Sequence, residues 1–110
     1  MGVKLLKKGS GKLLIEGQEL TEVYCNTGKL CFAVSTLLPG QKASIDEGHS
    51  EADEVCYVVT GEVVVNIPDR DENYLLSDGD ALLIHQGVPH YTINVGTEQS
   101  IVVWACAPSP

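Results

Sequence analysis

Basic residues are scarce in this chain and unevenly placed. Seven Lys and Arg stand against fifteen Asp and Glu in 110 residues, a formal net charge of −8 with His neutral. Lys4, Lys7, Lys8 and Lys12 crowd the N-terminus, so only Lys29, Lys42 and Arg70 offset the acids elsewhere. Such a surface repels phosphate backbones, and nucleic acid is not expected as a partner. The N-terminal lysines read as solvated protection for an edge strand. Long apolar runs are missing too. No stretch approaches the roughly 18–20 residues of a spanning helix, so no membrane contact is expected. The early lysines are not followed by the continuous apolar segment of a secretory signal, and the expected location is cytoplasmic. Aromatics amount to four Tyr, one Phe and one Trp, so the core must rest on Val, Leu, Ile and Ala. The four cysteines (Cys25, Cys31, Cys56, Cys106) contain no C-x-x-C pair and suggest no finger-type zinc site. In a cytosolic setting they are expected as reduced thiols. Cys25 and Cys31 flank the 26–29 turn, where a disulfide and two buried thiols are the open alternatives. Gly9-Ser10-Gly11-Lys12 lacks the spacing and the following helix of a phosphate-binding loop.

The apolar fraction of 44% is ordinary for a globular protein, and the length suits one domain over residues 1–110. Turn signals recur at short intervals: Gly9-Ser10-Gly11, Asn26-Thr27-Gly28, Pro39-Gly40, Thr60-Gly61, Pro68-Asp69, Asp78-Gly79-Asp80, Gly87-Val88-Pro89 and Asn94-Val95-Gly96. The segments between them are rich in Val, Ile, Leu, Tyr and Thr. They predict strands at 12–16, 19–25, 30–38, 42–47, 54–59, 62–67, 73–76, 81–84, 90–94 and 99–106. No window shows a helical period. So many short strands cannot hide their edges in one flat sheet, so closure into an all-β barrel or jelly roll is expected.

The three His, His49, His85 and His90, fall in two short segments, 40–61 and 79–94. On an extended strand Glu47 and His49 share a face. Glu54 follows a short polar loop, and His90 comes from the distant segment. Imidazole and carboxylate groups on facing strands suit a divalent first-row metal. If Glu54 points inward, Cys56 and Val58 do so as well, while Val55, Tyr57 and Val59 point out. For Cys56 the reading is a small buried hydrophobe.

The first segment runs Gly40, six residues, Glu47-Gly48-His49, four residues, Glu54, six residues, Gly61. The second runs Gly79, five residues, His85-Gln86-Gly87, two residues, His90, three residues, Asn94. Together they resemble the paired motifs of the cupin superfamily. The resemblance implies a single-domain double-stranded β-helix, or jelly-roll barrel. It also implies one divalent metal (Fe, Mn, Ni or Zn) held by Glu47, His49, Glu54 and His90. Two positions depart from the family. Glu47 stands where the first His is usual, which makes the site richer in oxygen, with Asp46 or water as the rival if Glu47 faces solvent. His85 stands at the family's Pro. Glu47 and His85 are the candidate acid/base residues. The implied function is an enzyme of dioxygenase, isomerase or lyase type acting on a small oxygenated compound. The alternative is a non-catalytic module that binds a sugar or another small ligand. Stand-alone cupins commonly pair through edge strands, so a homodimer is expected.

Overall fold

Alternation of inward and outward side chains organises the structure, a computed structural model that describes residues 2–109. Nine strands form: β1 (Lys12–Glu16), β2 (Glu19–Asn26), β3 (Cys31–Leu37), β4 (Asp53–Thr60), β5 (Val63–Ile67), β6 (Glu72–Leu76), β7 (Ala81–Ile84), β8 (Tyr91–Asn94) and β9 (Ser100–Ala107). One 3-10 turn, Pro68–Arg70, interrupts them. Pairing is antiparallel throughout the named strands. A six-stranded sheet runs β1-β2-β3-β9-β4-β7, and a three-stranded sheet runs β6-β5-β8. Lys12 lies on β1, an edge strand, as the N-terminal lysines suggested.

Strand β4 shows the alternation most cleanly. Glu54, Cys56 and Val58 are buried, while Val55, Tyr57 and Val59 are exposed. The core clusters Cys56, Val58, Val63, Val65, Ile67, Leu76, Ile84 and Val102 between β4, β5, β6, β7 and β9. Branched side chains fill that half of the barrel. On the other half the inward residues of β2 and β3 include Thr21, Ala33 and Ser35, which are too small to close the interior. A cavity of about 210 Å³ remains there.

The expected strand at 42–47 is the one element that does not form. The segment instead makes isolated bridges, Gly17 to Ala43, Lys42 to Ile93 and Asp46 to His90, and so ties the β1–β2 turn to β8. Four steps along the chain, from Lys42 to Asp46, are matched by only three on β8. The extra residue is a bulge, which breaks the ladder and shifts which side chains face inward.

Candidate metal centre

His90 leads into β8 and is buried, with 3% of its side chain exposed. Its Nδ1 lies 2.9 Å from the carbonyl oxygen of Val88. A carbonyl can only accept, so Nδ1 carries the proton and donates, and in the neutral ring Nε2 presents a lone pair. Nε2 lies 3.0 Å from Glu54 Oε1 and 3.8 Å from Asp46 Oδ2. Glu54 Oε1 is buried and has no hydrogen-bond donor. His49 Nε2 lies 3.8 Å from the other oxygen, Glu54 Oε2. Lone pairs of the buried His90 and Glu54 and of the partly exposed His49 and Asp46 therefore converge around Glu54. A lone pair left buried without a donor is costly, and a cation between these groups removes that cost. The donor set suits a divalent first-row ion, whose ligands at ~2.0–2.2 Å sit ~3–3.5 Å from one another. Donation of Nδ1–H to a backbone carbonyl is also the usual way a ligating His is oriented.

Two groups of candidate ligand atoms lie within 4.8 Å of one another: Asp46, Glu54 and His90, and His49, Glu54 and Cys106. Of the four expected ligands, Glu54 thus has His49 in one group and His90 in the other. Glu47 stands apart, because its side chain is exposed and it belongs to neither group. The reason lies in the backbone. Asp46 and His90 are directly opposed, with N–H to O bonds of 2.8 Å in both directions, which puts Asp46 on the His90 face and Glu47 on the other. Gly48 then adopts a left-handed φ of +83°, and its N–H donates to Asp46 Oδ1 at 2.8 Å. The turn returns His49 to the inner side. Asp46 and His49 both line the cavity, where an unbroken strand would have paired Glu47 with His49.

His85 is also elsewhere. It follows Ile84, which is buried, so alternation sends it outward, and 72% of its side chain is exposed. Its Nδ1 lies 3.5 Å from Asp53 Oδ1, which also accepts the backbone N–H of Gln86. Cys56 is fully buried in the core and does not line the cavity. Asn94, the last residue of the second motif, is structural. Its Nδ2 donates to the carbonyls of Leu37 and Glu98 at 2.9 Å, and its Oδ1 accepts from Gly96.

His90 is pulled in two directions. Burial lowers the affinity of its ring for a second proton, but a proton taken up at Nε2 is donated to Glu54, and that bond, the Val88 carbonyl and the charges of Glu54 and Asp46 together outweigh burial and hold its pKa above the ordinary value. Trp104 stacks on the His90 ring with centroids 5.7 Å apart. The Trp104 Nε1–H donates to Ser35 Oγ at 2.9 Å, which leaves the Ser35 hydroxyl proton free for Glu19. Glu19 lines the same cavity. Burial pushes its carboxyl up to about 7, against the Ser35 hydrogen bond and with help from the charges of Glu16 and Asp46. Neither motif contains Glu19, and its only sequence signal is its position as the first residue of a strand. All four cysteines are free thiols. Cys25 is opposite Phe32, and Cys31 is opposite Cys106 across the β3–β9 ladder. Burial, with Cys31 and Glu54 adding to it, pushes the Cys106 thiol up to about 12.

Two antiparallel sheets enclosing a cavity with imidazole and carboxylate groups in its wall define a small β-barrel with an internal candidate metal centre. The family model of the cupin domain matches residues 33–106, and the chain belongs to that family. Solved structures agree in fold. The chain is similar to KdgF from Halomonas sp., with a TM-score of 0.80 at 19% identity, covering 98% of this chain and 96% of that one. It is similar to TT1209 from Thermus thermophilus, with a TM-score of 0.73 at 26% identity over the whole of both chains. A predicted oxalate decarboxylase from Thermotoga maritima superposes with a TM-score of 0.79 at 16% identity, covering 94% and 98%. No curated protein matches the chain.

Proposed function

We propose that this cupin is a metal-dependent enzyme acting on a small oxygenated organic compound, with one divalent ion held by Asp46, His49, Glu54 and His90. The observation that carries the reading is Glu54 Oε1, buried without a donor and 3.0 Å from an imidazole nitrogen that in the neutral ring offers only a lone pair. When bound, an Fe, Mn, Ni or Zn ion supplies polarisation of a carbonyl or hydroxyl oxygen. His90 is locked for that task by Val88 and Trp104. Proton transfer falls to Glu19. A carboxyl poised near neutrality is populated in both forms and serves as acid or base. Glu47 and His85, exposed and outside the cavity, do not have that reach.

The cavity also bears on the substrate. Its volume, about 210 Å³, is below the ~300–1,000 Å³ of drug-sized pockets and suits a small metabolite. Glu16, Glu19, Asp46 and Glu54 line it, and no Lys or Arg does among the described residues. With a divalent ion balancing Asp46 and Glu54, Glu16 and ionised Glu19 still leave the cavity negative, so compounds with several negative charges are disfavoured and neutral keto or hydroxy compounds are favoured.

Elemental analysis of the untagged protein is expected to find about one divalent ion per chain, and His49→Ala or His90→Ala to remove it. Turnover is then sought among neutral keto and hydroxy compounds, with and without O2. Protein that is metal-free as purified, and that takes up none of the four ions on dialysis, would sink the reading.

A further inference from the structure

We propose that Cys106 is a ligand of the ion, its thiolate joining His49 and Glu54 on one face of the centre. The inference rests on the metal-site reading above and adds a sulfur donor to it.

The placement follows from the sheet. Cys106 on β9 is directly opposed to Glu54 on β4, so the two side chains leave the same face of the ladder. Both are buried, at 5% and 9% exposure, and both line the cavity. Ligand atoms of His49, Glu54 and Cys106 lie within 4.8 Å of one another. The thiol therefore does not stand alone. It shares its space with an imidazole and with a carboxylate whose Oε1 is buried and lacks a donor. Glu54 belongs to both ligand groups, with Asp46 and His90 in one and His49 and Cys106 in the other, so an ion bound through it would have donors of both groups near it.

Binding exchanges one bond for another without a change of oxidation state. The Cys106 S–H bond breaks, its proton leaves to buffer, and the sulfur lone pair forms the bond to the ion. No oxidant or reductant is required. A thiolate among nitrogen and oxygen donors makes the centre softer, which favours Zn, Co, Ni and Fe(II) over Mn and Mg. The motif residues alone would not predict that preference, because Asp46 and Glu54 bias the site toward hard ions.

The test uses cobalt as the probe. Protein stripped with a chelator is reloaded with one equivalent of Co²⁺, and its near-ultraviolet absorption is recorded. The expected result is a thiolate-to-cobalt charge-transfer band in the wild type and in Cys31→Ser, lost in Cys106→Ser. X-ray absorption at the cobalt edge of the wild type needs no variant, and it is expected to find one sulfur neighbour at ~2.3 Å. Cobalt bound with nitrogen and oxygen neighbours only would overturn the role of Cys106 and leave the metal site standing. A band that survives Cys106→Ser, or that is lost only in Cys31→Ser, would overturn it as well. A wild type that binds no cobalt overturns this inference together with the reading beneath it.

Discussion

Glu19 couples the cavity to the stability of the barrel. Folded, it keeps its proton up to about pH 7, whereas its ordinary pKa is 4.5. Between those values the folded chain holds more protons than the unfolded one. The stability tied to the protonated group is complete below the ordinary pKa and is lost as pH rises through the folded one. Glu19→Gln carries no charge to bury. Relative to the wild type, the variant should therefore gain roughly 1–3 kcal/mol between about pH 5 and about pH 8. Urea midpoints at the two pH values measure the change, and an offset independent of pH would contradict it. The same variant should remove the limb near neutrality from any pH–rate profile. That outcome would mark a group held at a cost to stability for the sake of chemistry. The sequence makes His49, Glu54 and His90 legible because their spacing survives folding. Asp46 is legible only as the alternative to Glu47, because a bulge decides which of the two faces inward, and Glu19 and Cys106 are not legible, because cross-strand register sets their surroundings.

At the scale of elements, the segment from Lys42 to His49 decides the site. Nine of the ten expected strands exist with bounds close to those read from turn residues and branched runs, because each pairs with a neighbour in an antiparallel ladder, which β2 and β4 keep despite one register shift each. The tenth fails because it carries one residue more than its partner can match. Alternation is a local rule, and one extra residue inverts it for everything that follows. Gly48 makes the final correction, and its geometry is tightly confined. A Cβ there would stand 2.8 Å from Val88 N and 3.0 Å from Val88 O, on top of the left-handed backbone. Gly87 is also left-handed, at φ +77°, but a Cβ there meets nothing within 4 Å. Gly48→Ala should therefore displace His49 and Val88 together, destabilise the fold by roughly 2–4 kcal/mol and abolish metal retention. Gly87→Ala should cost roughly 1–2 kcal/mol and leave the metal in place. Metal content and thermal melts on both variants check the contrast. Equal metal content in the two would show that the Gly48 turn does not position the site.

For the whole molecule, the uneven filling of the barrel separates stability from function. Large branched side chains pack one half, and small or polar ones leave the other half open for chemistry. The outer surface is uneven as well. Val55, Tyr57 and Val59 on β4 and Leu83 on β7 are each about half exposed, and Val55 and Leu83 are direct cross-strand neighbours. The β1 edge favoured from sequence exposes Leu13 and Ile15 beside Lys12, and the apolar face on the adjacent strands β4 and β7 is a second candidate for self-association. We propose that two copies meet through this face. A net charge of −8 on each copy opposes that contact at long range, and salt screens the repulsion within about 10 Å at 0.1 M. The apparent mass by light scattering should therefore be twice 11.8 kDa, with the dimer tightening as salt increases. Tyr57→Asp combined with Leu83→Asp adds charge at the centre of the face and should return the chain to monomer without loss of metal, since both side chains point away from the cavity. A wild type that is monomeric at every salt concentration would rule the face out. A dimer that survives both substitutions would move the contact to another strand.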